Sequence, residues 1–184
     1  MKLNFILLIL LIVLPVLTSC SPVPEYPVAE TVEQLSEGVV DTVSIPTQTV
    51  VTDEPSLLAG FSDTGGWIIL FEKDMSTENE LYLPEGTTNN GEPARKVALY
   101  TQDADRNVTA RFTLTAPSIM ITSVNSRIQG GTFVGDVYVT AEGFRLVDAV
   151  IDGDLYFSSQ DLFNAFDVTE GEVTGLRAVA VRCH

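Results

Sequence analysis

An offset of eighteen residues constrains this chain more than any other feature. Gly135-Asp136-Val137-Tyr138-Val139 returns as Gly153-Asp154-Leu155-Tyr156-Phe157 and then as Gly171-Glu172-Val173-Thr174-Gly175, while one step upstream lies Pro117-Ser118-Ile119-Met120-Ile121. The offset aligns an apolar column through Ile119, Val137, Leu155 and Val173, with Ile121, Val139 and Phe157 beside it. A second column runs through Leu114, Thr132, Val150 and Val168, and a third through Ile128 and Leu146. A fixed period of this size is the mark of a solenoid, because one repeat cannot bury its own apolar face and must stack on the next. Three columns per repeat imply three faces, the geometry of a single-stranded parallel β-helix whose coils lie about 4.8 Å apart. An antiparallel sandwich would also supply short strands, but it gives no reason for a constant offset.

The remaining texture agrees with an all-β class. Val108 to Leu114 alternates apolar and polar residues, Trp67-Ile68-Ile69-Leu70-Phe71 follows Gly65-Gly66, and turn chemistry falls at Pro84-Glu85-Gly86, Asn89-Asn90-Gly91, Gly130-Gly131 and Asp152-Gly153. No stretch keeps a helical period over about twelve residues. Residues 56–184 are therefore expected to form the β-helix domain, with coils over 101–184 and an N-terminal β cap over 56–100. In that cap Trp67, Ile69 and Phe71 would face Leu81 and Leu83 and close the first coil.

The beginning of the chain carries an address. Lys2, the apolar run Phe5 to Leu17 and Thr18-Ser19 before Cys20 form the three regions of an export signal over residues 1–19, too short to be read as a spanning helix. Leu17-Thr18-Ser19-Cys20 resembles the lipobox of bacterial lipoproteins, which implies a diacylglyceryl group on the Cys20 thiol and cleavage before it. Two acyl chains suffice for stable anchoring where one does not. Residues 20–55, rich in Pro, Thr, Val and Glu, read as a disordered tether, in preference to an edge strand around Val39 to Val51. Ser21, by resemblance to Gram-negative sorting patterns, does not mark inner-membrane retention.

The net charge of -15 is spread over both mature parts: residues 21–55 hold seven acids and no base, and the rest hold eighteen acids against nine bases. Such a surface repels phosphate backbones, anionic headgroups and acidic polymers, so nucleic acid is not an expected partner.

The sequence suggests no cofactor and no catalytic residue. The single histidine, His184, ends the chain beside Cys183, where a fixed geometry is hard to hold. With Cys20 lipidated, Cys183 has no partner for an internal disulfide. Asp103 to Asn107 begins like a calcium loop but has Val108 and Leu114 where glycine and glutamate belong, so it reads as a polar turn. If Val137 and Val139 point inward, Asp136, Asp154 and Glu172 stack on the outside beside Tyr138 and Tyr156. Tyr138, Tyr156, Asp136 and Asp154 are thus the candidate ligand surface, and Asp136, Asp154 and Glu172 a candidate calcium ladder if a cation bridges them rather than solvent.

Gly-x-x-x-Gly-Asp-Val and Ile-Asp-Gly-Asp-Leu, within Ser118 to Gly175, resemble the glycine-punctuated coils of bactofilins, polymer-forming bacterial cytoskeletal proteins. The export signal and the non-repeating stretch Gly60 to Tyr100 depart from that pattern. The expected function is a non-enzymatic, membrane-tethered envelope scaffold or recognition surface, self-associating through coil ends such as Val179-Ala180-Val181. The alternative is a β-helix that binds or acts on an envelope polysaccharide.

Overall fold

The structure is a computed structural model that describes residues 46–86, 88, 90–167 and 170–180. The signal, Cys20, most of the tether, Val168, Cys183 and His184 lie outside them.

The chain winds into a three-faced parallel β-helix. Strand β1 (Gln48–Val51) leads into helix α1 (Glu54–Gly60). The first full coil holds β2 (Ile68–Phe71), β3 (Met75–Ser76) and β4 (Leu81–Leu83). The next begins with β5 (Lys96–Ala98), throws out an antiparallel hairpin of β6 (Tyr100–Gln102) and β7 (Val108–Arg111), and returns as β8 (Thr113–Ile121). Then come β9 (Arg127–Gln129) and β10 (Thr132–Val139), followed by β11 (Arg145–Val147), β12 (Ala149–Asp152) and β13 (Leu155–Phe157). Helix α2 (Gln160–Ala165) precedes the last rungs, β14 (Gly171–Val173) and β15 (Arg177–Val179).

The first face is the five-stranded parallel ladder β1-β2-β5-β9-β11. The second face stacks β3, the start of β8, the start of β10, β12 and β14; the third stacks β4, the end of β8, the end of β10, β13 and β15. The core is the set of inward columns. Leu81, Ile119, Val137 and Leu155 stack on the third face and are at most 2% exposed, with Leu83, Ile121, Val139 and Phe157 beside them. Ile69, Val97, Ile128 and Leu146 line the first face.

Corners repeat as the strands do. Positive-φ residues recur one coil apart at Asn125 and Gly143, at Gly130 and Asp148, and at Gly135 and Gly153. Each turns the chain from one face to the next, and Gly, Asn and Asp tolerate that backbone region best.

Several expectations change. Strand β1 lies inside the stretch read as tether and pairs in register with β2, Val51 opposite Phe71, so the β-helix starts at least as early as Gln48. Residues 67–100 are not a separate cap; they contribute rungs to all three ladders. The actual cover over the start of the stack is α1, too short for a periodic signal. It buries Leu57, its Asp53–Ser56 capping box fixes its start, and Glu54 Oε1 accepts from Thr77 Oγ1 (2.8 Å) and Asn79 Nδ2 (3.0 Å).

The second column is also displaced by one residue. Leu114 pairs with Phe133 rather than Thr132, and a bulge between Val134 and Asp136 restores the register on the third face. The inward column is Leu114, Phe133, Ile151 and Val173. At the last step the offset becomes twenty-two residues, with Leu155 opposite Arg177 and Ile151 opposite Val173. Helix α2 supplies the extra length. Its Phe163 packs edge-on to Phe157 (5.9 Å between centroids), and Phe166 beyond it lies against Phe144 (5.7 Å) and Phe157 (5.3 Å). The helix thus covers core that a further strand would otherwise have covered.

Arg95 ties the cover to the stack. Its side chain is 1% exposed, and its guanidinium donates to the carbonyls of Gly60 and Ser62 at the end of α1. Burial lowers its pKa from the ordinary value, and Asp63 opposes that shift. Arg95→Met is expected to cost about 1.5–3 kcal/mol, the usual worth of hydrogen bonds to a charged group, read as a lower urea midpoint at unchanged slope.

Candidate functional site

The outward side of the third face carries the candidate residues. Because residues alternate in and out along a strand, Tyr138 and Tyr156 fall on one outer column, in register on β10 and β13. Their rings stack with centroids 5.0 Å apart and planes 19° from parallel. The faces turned toward each other are thereby occupied, so cross-coil stacking accounts for this pair without a sugar.

Asp154 is held from three sides. Its Oδ2 accepts from the Tyr156 hydroxyl (2.7 Å), its Oδ1 accepts from the Leu176 backbone N–H (2.8 Å), and its own N–H donates to Asp136 Oδ1 (3.1 Å). The two acids therefore clasp three successive coils. The Tyr156 hydroxyl, and then the Leu176 N–H, lower the pKa of Asp154. The same bond, with smaller contributions from burial and the charges of Asp154 and Asp136, pushes Tyr156 up to about 12. Neither group titrates near neutrality, which is where a general acid or base has to work.

The signs of the two shifts give a stability profile. The lowered Asp154 contributes stability above its unfolded pKa that is lost as pH falls through the folded value. The raised Tyr156 contributes stability below its ordinary value of 10.0 that is lost as pH rises toward about 12. Asp154→Asn is expected to bring one tyrosine back toward its ordinary titration, visible as phenolate absorbance appearing at lower pH than in the native chain.

Glu172 does not join this column. It sits on β14 opposite Val150, on the second face, because α2 lengthens the preceding coil. Gly175, rather than Gly171, stacks over Gly153, its N–H donating to the Gly153 carbonyl (3.1 Å). The Asp136–Asp154–Glu172 ladder therefore does not form, and no group of three or more metal-ligating side chains occurs among the described residues. Asp103 likewise closes the β6–β7 turn, accepting from the N–H groups of Asp105 (3.0 Å) and Asn107 (2.9 Å).

Two features escaped the sequence. Tyr82, 51% exposed, continues the outer column through Met120 to Tyr138 and Tyr156, but inserted loops put it thirty-eight residues before Met120. The recurring triplet of an apolar residue, Tyr or Met, and a second apolar residue was the available signal. The other is an open cleft of about 410 Å³ on the second face, walled by Arg111, Asp148, Glu170 and Glu172. Arg111 Nη2 meets Asp148 Oδ2 at 2.6 Å, and the guanidinium also donates to the carbonyls of Gly130 and Asp148, pinning the hairpin to a coil corner. At 47% and 62% side-chain exposure the ion pair adds little stability, so the bonds to the corner carbonyls give it its positioning role.

No helix among the described residues is long and apolar enough to cross a membrane. In comparison with known proteins, no family model, no curated protein and no solved structure matches the chain.

Proposed function

We propose that this protein is a non-enzymatic scaffold of the bacterial envelope, tethered through lipid on Cys20 and assembled by stacking β-helices end to end. The observation that carries the reading is the set of strand edges left unpaired at both ends of the second and third faces, beside the helices α1 and α2 that cover core there. Among the described residues β14 and β15 each pair on one side alone, as do β3 and β4 at the opposite end of the same faces. Leu176 and Val179 on the final rung region are 58% and 42% exposed. A parallel edge with unmet N–H and C=O groups accepts another strand, and a final rung that fits a first rung makes a head-to-tail contact that propagates as a filament. The outer Asp136 and Asp154 support a structural role, since each accepts a hydrogen bond from the backbone N–H of the next coil, and the Tyr156 hydroxyl is engaged by Asp154.

Sedimentation velocity of the full chain over a concentration series tests the assembly. A mass that grows with concentration, and a Leu176→Lys, Val179→Lys variant that stays monomeric, are the expected results. A native chain that remains monomeric throughout would remove the proposal. Cys20→Ser is expected to release the protein from the membrane fraction and abolish incorporation of labelled lipid; retention of either would overturn the anchor.

A further inference from the structure

The first face stacks cations. β5, β9 and β11 place Lys96, Arg127 and Arg145 in one register, on three successive rungs about 4.8 Å apart. Their neighbours Val97, Ile128 and Leu146 point into the core, so these three point outward. Lys96 and Arg127 are half-buried and Arg145 is exposed. In a chain of net charge -15 this is an uneven distribution, and none of the three forms an ion pair with another of the described residues.

Like charges on adjacent rungs repel, and nothing in the fold of the ladder requires them. Arg127 also keeps a buried Nε that meets no acceptor among the described residues. Burial, and then the charge of Arg145, lower its pKa below the ordinary value, in keeping with two guanidinium groups held side by side. An anion laid along the column would relieve the repulsion.

The surroundings indicate what kind of anion. An open cleft of about 300 Å³ leads to Lys96 along the same face, walled by Gln48, Ile68, Glu72, Tyr100 and Gln102 among others. Lys96 Nζ donates to the Tyr100 hydroxyl (2.8 Å), which leaves that hydroxyl its own proton to donate. Gln48 lies two rungs before Lys96 in the register, beyond Ile68. The path thus combines amides and a hydroxyl, suited to sugar hydroxyls, with cations spaced at about the advance of one pyranose per rung. A polymer as densely charged as a nucleic acid would meet the repulsion of the acidic surface at large, and Glu72 in particular.

We propose that the Lys96–Arg127–Arg145 column is a binding site for a linear, carboxylate-bearing polysaccharide lying along the helix axis. The charge of the whole chain disfavours acidic polymers; the ladder concentrates cations on one stripe and reverses that locally. The site is on a different face from the unpaired strand edges and does not depend on assembly.

Calorimetric titration of the full chain in neutral detergent, with oligogalacturonate as the probe, tests the proposal. Neutral galactan and polyphosphate are the comparison arms. Oligogalacturonate is expected to bind with an affinity that falls as salt rises, and galactan not to bind. Lys96→Gln with Arg145→Gln is expected to weaken binding at least about tenfold and to shallow the salt dependence by roughly one unit of log–log slope per cation removed. Arg145→Gln alone, at an exposed position, keeps the readout if the double variant melts early. Arg111→Gln, off the column, is expected to bind as the native chain does. Absent binding, undiminished binding by Arg145→Gln and the double variant, or polyphosphate bound as tightly as oligogalacturonate would each overturn the assignment.

Discussion

Val137→Asp is expected to leave the chain unfolded at room temperature. Val137 is 0% exposed and sits between Ile119 on one rung and Leu155 on the next. A carboxylate there has apolar neighbours above and below, so it must either bury an unpaired charge or be protonated at a large cost. Either way the penalty is several kcal/mol against a total stability on the order of 5–15 kcal/mol. The far-UV signature of β-structure and the cooperative melt are expected to disappear. Tyr138→Asp, one residue on and facing outward, is expected to keep both, losing the contribution of the Tyr138–Tyr156 stack. A native-like melt for Val137→Asp would mean that the inward column is misassigned.

Gly135→Ala is the second large effect, on the order of 3–4 kcal/mol. Gly135 makes the corner between the second and third faces at φ +136°, a region that residues with a side chain rarely adopt. A Cβ added there would also overlap the carbonyl oxygen of Ala116 on the preceding coil, a backbone atom with nowhere to move. Gly91 is the control: its φ is +81°, but a Cβ would meet nothing within 4 Å, so Gly91→Ala carries the backbone penalty of about 1–2 kcal/mol alone. Urea midpoints at equal slopes separate the two.

The sequence disclosed the fold where the coils are bare. Between Ile119 and Phe157 no insertion interrupts the winding, so Ile119–Val137–Leu155 and Ile128–Leu146 stack as the eighteen-residue offset requires. Elsewhere the same physics holds with different spacing. The β6–β7 hairpin separates β5 from β9 by thirty-one residues, and α2 stretches the last coil to twenty-two. A period cannot reveal coils whose loops differ in length, although their inward residues obey the same alternation. For this reason β2 to β5 passed for a cap, Glu172 for a member of the acid column, and Gly171 for the partner of Gly153. The one-residue slip at Thr132 has another cause, since a bulge changes register without changing composition.

The candidate site was legible to the same extent. The Tyr138–Tyr156 and Asp136–Asp154 pairs come from the uninterrupted coils and do stack, but their bonds to one another show them holding coils together. The basic column went unseen for the opposite reason. Arg127 and Arg145 keep the eighteen-residue offset, whereas Lys96 stands beyond the hairpin, and isolated cations in an acidic chain look like solvated surface until a ladder aligns them.

Disulfide trapping tests the stack most directly. In a chain carrying Cys20→Ser and Cys183→Ser, a cysteine at Tyr156 is paired either with one at Ala178, its partner on β15, or with one at Thr174, eighteen residues on. Facing positions in a parallel ladder lie within disulfide reach. Mild oxidation is expected to cross-link Tyr156→Cys with Ala178→Cys quickly and within one chain, and to leave Tyr156→Cys with Thr174→Cys reduced. Trapping of the Thr174 pair instead, or of neither, would contradict a β-helix whose last coil is lengthened by α2.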